Sequence, residues 1–389
     1  MKAVILAAGF GTRIRPLSET MPKPMIPIIN RPVMEFLVDL LRRHGFTQIM
    51  VSTSYLANDI EHYFRDGSRF GVEMAYSFEG YHADGRPVPE GLGAAGGLKK
   101  IQQQSGFFDD TFAVVCGDAI VDVDFTGVLD FHRRRRAVAT MLLKEVPRDE
   151  VHRYGVVQTD PDGRIRLFQE KPSPADAAST TVNAGIYMFE PAALDYIPPD
   201  RRFDIAWEFF PRLIEQHVPF YGVALPFTWV DIGCIPDYWR ATRLILSGGL
   251  SAARMPGREI APRVWSGINV AVDLTRVTLQ GPVCIGSSTK IEPGATVIGP
   301  AVIGRNSVIE SGAFVDSCVI GDYTRISGLA HLRERIVSGR FCVGCDGRSV
   351  DLAGAGYAFV VDDVRERRQW TEDQQTLMDF LRAYQVSPT

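Results

Sequence analysis

Gly9 and Gly11 close an apolar run near the start of the chain, and Arg13, Arg15 and Lys23 follow within a few positions. Those residue types at that spacing suit a polyphosphate. The run from Ala3 to Ala7 is long enough for one buried strand of a parallel sheet. The turn that follows, Gly9-Phe10-Gly11-Thr12-Arg13, can fold tightly and expose backbone N–H groups beside fixed cations. Two other phosphate loops are excluded by spacing. A P-loop needs four residues between its first glycine and a Gly-Lys-Ser/Thr, and no such run occurs. A dinucleotide fingerprint needs a third glycine where Ile14 stands. The bland alternative is an ordinary strand-to-turn connection with chance charges, and the added Pro22-Lys23-Pro24 weighs against it.

The whole stretch, MKAVILAAGFGTRIRPLSETMPKP, resembles the signature of the sugar-phosphate nucleotidylyltransferases, G-x-G-T-R-x-x-P-x-T-x-x-x-P-K-P. It departs only at Ser18-Glu19-Thr20, where the threonine is displaced. Joining a nucleotide to a sugar 1-phosphate needs no general base, because the attacking phosphate oxygen is already ionised at neutral pH. The obstacle is bringing an anion onto the α-phosphate while pyrophosphate leaves, so catalysis is positioning plus charge neutralisation. Such a site needs cations around the pyrophosphate, two carboxylates for a metal and a further cation for the sugar phosphate.

Each part has a candidate. Asp118 ends the apolar run Phe112 to Cys116, and Asp231 follows Trp229-Val230. Strand ends of this kind carry the ligand sites of open α/β sheets. Either aspartate alone would more often be a cap or turn residue. Hard oxygen ligands in a phosphate enzyme suggest Mg²⁺. The resemblance implies that Asp118 and Asp231 bind the metal together, and that Arg13 and Lys23 are the catalytic cations on the triphosphate. Phe168-Gln169-Glu170-Lys171-Pro172 matches the family's F-x-E-K-P. That match implies Lys171 on the sugar phosphate and Glu170 on sugar hydroxyls, with Asn183 and the backbone of Gly155 and Gly185 completing the pocket. The nucleotide would lie on Leu6, Ala8, Gly9, Gly11, Thr12 and Arg13, with Glu90 and Gly93 opposite its base.

The elements that must position these residues alternate in type. Residues 1–246 read as an α/β catalytic domain, with strands at 49–53, 72–76 and 112–116 and helices from Val33 and from Asn58. Glu79 to Pro89 reads as a polar loop ahead of the small residues Gly91 to Gly97. Asp160-Pro161-Asp162-Gly163 is a hairpin turn, and Pro236 to Leu246 a closing helix. The resemblance implies a Rossmann-like nucleotidyltransferase domain with a mixed central sheet. From 250 to 345 the period changes. Ile285, Ile291, Val297, Ile303, Ile309 and Val315 recur every six residues, each preceded two places earlier by a mostly small residue. That repeat marks a parallel β-helix, left-handed by resemblance, with a register slip near Val319-Ile320-Gly321. Residues 346–389 form a tail with a strand at Ala358 to Val361 and a helix whose apolar stripe is Leu377, Phe380, Leu381 and Tyr384.

Composition bounds the partners. A net charge of −4 argues against a nucleic-acid or membrane-surface binder, and the basic run His132 to Arg136 reads as a solvated helix end. No apolar stretch approaches bilayer length, and six scattered cysteines lack a framework spacing, so a cytoplasmic protein with reduced thiols is expected. A homo-oligomer built through the β-helix or the tail is expected as well. Bacterial bifunctional relatives carry a catalytic histidine in such a helix, but here only His331 follows His217, and it reads as structural. For the base, Glu90-Gly91-Leu92-Gly93 resembles the E-P-L-G of GDP-mannose pyrophosphorylases, with Gly91 in place of proline. Pro24 to Ile28, Gly96 to Gln102, Phe107 to Phe112 and the tail resemble the UDP-glucose pyrophosphorylases of cyanobacteria. The expected substrates are therefore UTP and glucose 1-phosphate, then GTP and mannose 1-phosphate. A regulatory subunit of the same fold is the reading from another class, disfavoured because Arg13, Lys23, Asp118, Lys171 and Asp231 are all present.

Overall fold

In a computed structural model, the structure describes residues 1–250 and 253–367, with isolated positions 372, 376 and 380. The chain forms two compact units. The first holds 1–12, 18–26 and 32–232, and the second 13–17, 27–31 and 233–389.

The first unit runs β1 (Lys2–Leu6), α1 (Val33–Arg43), β2 (Gln48–Thr53), α2 (Ala57–Phe64), β3 (Glu73–Phe78), β4 (Gly80–Ala83), β5 (Arg86–Pro89) and α3 (Ala94–Ser105). It continues with β6 (Phe112–Cys116), β7 (Ala119–Asp122), α4 (Phe125–Arg134), β8 (Ala139–Glu145), β9 (Gly155–Thr159), β10 (Ile165–Glu170), β11 (Thr181–Phe189), α5 (Phe210–Glu215), β12 (Phe220–Ala224) and β13 (Thr228–Asp231). The main sheet has the order β10-β9-β11-β6-β1-β2-β3, with β8 pairing β11 and β12. β6, β1, β2 and β3 are parallel, and β11 enters antiparallel to β6, which makes the sheet mixed.

Burial on both faces explains why β1 reads as an unbroken apolar run. Ala3 and Ile5 join the core beneath α1, with Leu37 and Ile49, while Val4 faces the opposite core with Leu98, Val114 and Tyr187. α1 follows the spacing of Val33, Phe36, Leu37, Leu40 and Leu41, all buried, and ends on Arg42 and Arg43, whose charge suits a helix C-terminus. The stretch expected as a loop at 79–89 is instead the hairpin β4–β5. Its turn, Asp84-Gly85, has positive φ at both residues, 51° and 71°, as a two-residue hairpin of this twist requires. The Asp-Gly signal was present but lacked the flanking apolar alternation that usually accompanies it.

The second unit contains α6 (Ile235–Leu246) and the stacked coils. Three six-residue segments complete a turn, so Val283 lies beside Ala301 and Val297 beside Val315. The register then shortens by one, placing Val302 beside Val319 and Phe314 beside His331. Ile285, Ile291, Val297, Ile303, Ile309 and Val315 all point into one buried core. Polar residues at the small position stay satisfied there, as Thr289 Oγ1 donates to Gly304 O at 2.7 Å and Ser307 Oγ to Gly321 O at 3.0 Å. The expected strand at 358–361 begins instead at Val361 and runs to Asp363, antiparallel to Thr324–Ile326. Of the expected C-terminal stripe, Leu377, Leu381 and Tyr384 lie outside the described residues, and Phe380 is exposed. Cys342 and Cys345 are free thiols, and His331 packs on the Phe314 ring with centroids 4.2 Å apart. Among the described residues, no helix is long and apolar enough to cross a membrane.

Candidate active site

The carboxyl ends of β1 and β6 define the place where the candidate residues gather in the first unit. Gly117 N donates to Leu6 O at 2.9 Å, which locks the two strand ends side by side. The chain then turns back through Asp118 into β7. Because β7 pairs antiparallel with β13, Asp231 faces Ala119, and Ile232 N donates to Asp118 O at 3.1 Å. Two aspartates 113 positions apart in sequence are thereby set on adjoining backbone. Lys23 forms an ion pair with Asp118, its side chain only 10% exposed against 26% for the aspartate. The short helical turn Lys23–Met25, entered through Pro22, fixes the lysine backbone.

Cys116, last in β6, lies against these charges. Burial pushes its thiol well above the ordinary range, and the nearby Asp118 and Asp231 carboxylates add to the effect. It is a neutral group in this setting. A Cβ on Gly185 would come within 2.9 Å of its sulfur, and Gly185 has φ of 73°, so glycine is needed there on both counts.

The phosphate loop is less uniform than its sequence suggested. Gly11 has φ of 63° and packs on Lys23, where an added Cβ would meet the lysine Cβ at 3.0 Å, and Ser18 Oγ donates to Gly11 O at 2.7 Å. Space beside Gly9 is open. Ala8 is half-buried, and Thr12 and Arg13 are exposed, Arg13 on the turn Thr12–Ile14. Residues 13–17 cluster with the second unit.

The expected sugar-phosphate residues form a second grouping, on β9, β10 and β11. Gly155 pairs with Glu170 across β9 and β10, and a side chain at Gly155 would run into the Phe168 ring and Glu170. Lys171 Nζ lies 2.9 Å from Glu170 Oε1, with the lysine 50% exposed and the glutamate 11%. Asn183 Nδ2 donates to the Tyr187 hydroxyl at 2.8 Å, and its Oδ1 accepts from Gly185 N at 2.9 Å. Burial drives the Tyr187 phenol well above its ordinary pKa, and Cys116 and Glu170 both act on it electrostatically. Tyr187 therefore stands between the two groupings. Sequence reading missed it, because an aromatic inside a strand carries no signal beyond core packing.

A third grouping surrounds the glycine-rich entry of α3. Glu90 is exposed, and its N–H donates to Glu79 O at 3.1 Å. Gly93 precedes α3 with φ of 73°, and an added Cβ would meet Phe203 O at 2.5 Å. A cavity of about 310 Å³ opens here, lined by Gly80, Glu90, Leu92, Gly96, Lys100 and Arg201 among others. Glu79 carries no sequence signal either, because 79–89 reads as a polar loop.

Among the described residues, no three His, Cys, Asp or Glu side chains converge as a metal cage. Two carboxylates suffice for one kind of ion. Mg²⁺ keeps several waters and binds through one or two carboxylates plus substrate phosphates, and a pair of aspartates on adjoining strands fits that donor set.

The description "Nucleotidyl transferase" matches residues 2–248, and the hexapeptide-repeat description of bacterial transferases matches 282–317. A UTP–glucose-1-phosphate uridylyltransferase of Synechocystis sp. is 51% identical over 365 residues, covering 94% of each chain. A mannose-1-phosphate guanylyltransferase of Mycobacterium tuberculosis is 31% identical over 293 residues, 75% of this chain and 77% of the relative. Among solved structures, a UDP-glucose pyrophosphorylase from Acinetobacter baumanii aligns with a TM-score of 0.53 at 22% identity, over 65% of this chain and 95% of that one. At that identity the likeness speaks to the fold.

Proposed function

We infer the activity from membership, since the chain belongs to the nucleotidyl transferase family, and propose that it is a UTP–glucose-1-phosphate uridylyltransferase. The reaction joins UTP and glucose 1-phosphate to give UDP-glucose and pyrophosphate. One geometric observation carries the chemistry: Asp118 and Asp231 adjoin through the β7–β13 pairing, with Lys23 on Asp118. The choice of UTP and glucose 1-phosphate rests on the likeness to the Synechocystis protein along nearly the whole chain.

The residues divide the work as follows. Leu6, Ala8, Gly9, Gly11 and Thr12 offer backbone to the nucleotide, while Glu90 and Gly93 face its base. Arg13 and Lys23 neutralise the triphosphate. Lys23 pairs with Asp118, which sets its charge beside the aspartates. Lys171 binds the sugar phosphate. Its side chain is half-exposed and pairs with Glu170, which leaves it able to meet an incoming anion. Glu170 then accepts from sugar hydroxyls, and Asn183, oriented by Tyr187 and Gly185, completes the pocket. Gly155 and Gly185 are small because neighbouring side chains already fill the space that a Cβ would take. Asp118 and Asp231 would hold a divalent ion, Mg²⁺ by donor chemistry, and the bound ion would supply charge neutralisation at the phosphates. No residue serves as a general base, since the attacking phosphate is ionised already.

The test is UDP-glucose formation from UTP, glucose 1-phosphate and Mg²⁺. Asp118→Asn should lower turnover by about a thousandfold or more with the circular-dichroism spectrum unchanged. Near-normal turnover in that variant would remove Asp118 from the site, and turnover sustained in EDTA would remove the metal.

A further inference from the structure

Glu79 is a buried carboxylate for which the proposed chemistry has no role. It follows β3 directly and is 2% exposed, so it presents almost no surface. Burial raises its pKa above the ordinary carboxyl value. Its contacts are specific and reach in two directions. Toward the glycine-rich entry of α3, Oε2 accepts from Leu92 N at 3.0 Å. Its backbone oxygen accepts from Glu90 N at 3.1 Å and from Ser54 Oγ at 3.0 Å. Toward the phosphate loop, Glu79 N donates to Thr53 O at 2.7 Å, and the preceding Ser52 accepts from Ala7 N at its carbonyl oxygen at 3.0 Å, with its hydroxyl 3.4 Å from the same N–H and acting on the Glu79 carboxylate. A chain of backbone and side-chain contacts thus runs from Ala7 through Ser52 and Thr53 to Glu79 and on to Leu92.

Gly97 makes room for this arrangement. A Cβ there would lie 2.5 Å from Glu79 Oε1 and 3.2 Å from its carboxyl carbon. Gly97 has ordinary helical backbone inside α3, where glycine is otherwise unfavourable, so the close approach is the reason for it. Lys100, on the next turn of α3, donates to Phe78 O at 2.6 Å and acts on the carboxylate electrostatically. The loop is also held from its other side, as Phe203 N donates to Leu92 O at 2.8 Å and Gly96 N to Phe203 O at 3.0 Å.

We propose that Glu79 is a positioning residue that ties the base-facing loop Glu90–Gly93 to the end of β1, fixing the width of the cleft in which the nucleoside is held. The proposal rests on the reading of Glu90 and Gly93 as facing the base. Its consequence is a dependence of triphosphate affinity and base discrimination on a buried carboxylate. A buried N–H left without its acceptor destabilises the loop that contains it, and that loop meets only one of the two substrates.

The experiment compares KM and kcat for UTP and glucose 1-phosphate in Glu79→Ala, Glu79→Gln and Gly97→Ala, with GTP as competing triphosphate. Glu79→Ala should raise the KM for UTP by about tenfold, equivalent to about 1.4 kcal/mol, and narrow the preference for UTP over GTP. kcat and the KM for glucose 1-phosphate should stay within about twofold of the parent. Glu79→Gln retains an acceptor for Leu92 N and should restore most of the loss. Gly97→Ala leaves Glu79 in place but pushes on it, and should reproduce the alanine phenotype. An unchanged KM for UTP in both Glu79→Ala and Gly97→Ala would overturn the proposal, as would equal rises for both substrates. Should Glu79→Ala fail to fold, Gly97→Ala and Glu79→Gln carry the same test. Gly93→Ala separates the two layers of inference. If it raises the KM for UTP while the Glu79 and Gly97 variants do not, the tie fails and the loop assignment stands. If none of them does, the loop assignment fails.

Discussion

Lys171 illustrates how a residue's surroundings convert a motif into a role. Its neighbour Glu170 is mostly buried and held in register by the β9–β10 pairing, whereas Lys171 has positive φ, 48°, and projects half-exposed from the strand end. An exposed ion pair of this kind contributes little to stability, on the order of 0–1 kcal/mol. Lys171→Ala should therefore leave the melting temperature within about 2 °C while raising the KM for glucose 1-phosphate by about 10- to 100-fold and that for UTP by far less. Steady-state kinetics with each substrate varied in turn checks this, and equal effects on both would contradict the assignment. At this scale much was legible in advance. Asp118, Asp231 and Lys23 stand out only through the family resemblance, since a strand-end aspartate by itself is more often a cap or turn residue. Tyr187 and Glu79 do not. One looks like any core aromatic, and the other sits beside a stretch whose turn chemistry was read as loop.

The elements owe their stability to burial that is polar in a few places, and α4 is the clearest case. His132, on its buried face, is 1% exposed; its Nδ1 pairs with Thr140 Oγ1 at 2.8 Å and its Nε2 with Glu190 Oε1 at 3.0 Å. Glu190 also accepts from Thr111 Oγ1 at 2.6 Å, so the helix is pinned to β8 and to the segments flanking β6 and β11. Burial depresses the His132 pKa below 6.5, outweighing the opposing pull of Glu190, with Arg133 acting in the same direction as burial. A histidine depressed on folding binds more protons unfolded than folded, so its contribution to stability is lost as pH falls through 6.5 toward the lower folded value. Between pH 7.5 and 5.5 the urea midpoint should thus fall more for the parent than for His132→Gln, which cannot protonate. Parallel losses in both proteins would contradict the depressed value. The helix end itself, with its run of arginines, was readable from charge and periodicity, but the partners of His132 come from β8 and the end of β11 and leave no local mark. The hairpin at β4–β5 was misread for a related reason. Its Asp-Gly turn is local, but its strands are mostly exposed and carry no alternation to reveal pairing.

As a whole the molecule is divided differently from its sequence periodicity. The hexapeptide repeat located the β-helix and its slipped coil, because a stack of equal coils writes its period directly into the chain. The compact second unit, however, also takes in 13–17, 27–31 and α6. Tyr238 of α6 donates to Pro27 O at 2.9 Å, and Asn30 Nδ2 donates to Ile303 O at 3.5 Å. These long-range ties could not be inferred from sequence spacing. They have a consequence for dissection of the chain. A protein ending at Leu250 would lose the coil that receives Asn30, leaving buried Ile28 and Ile29 without their surroundings. Such a truncation should be poorly soluble or melt about 10 °C or more below the full chain, as a loss of a few kcal/mol would produce at this size. A fragment of unchanged melting temperature and turnover would mean that the β-helix is dispensable to the catalytic unit.

Pyrophosphate release across a matrix of substrates tests the pairing of a uracil base with glucose 1-phosphate most directly. Each of UTP, GTP, ATP and dTTP is paired with the 1-phosphates of glucose, mannose, galactose and N-acetylglucosamine in the presence of Mg²⁺. The highest kcat/KM should fall on UTP with glucose 1-phosphate. A maximum on GTP with mannose 1-phosphate would contradict the assignment of both substrates.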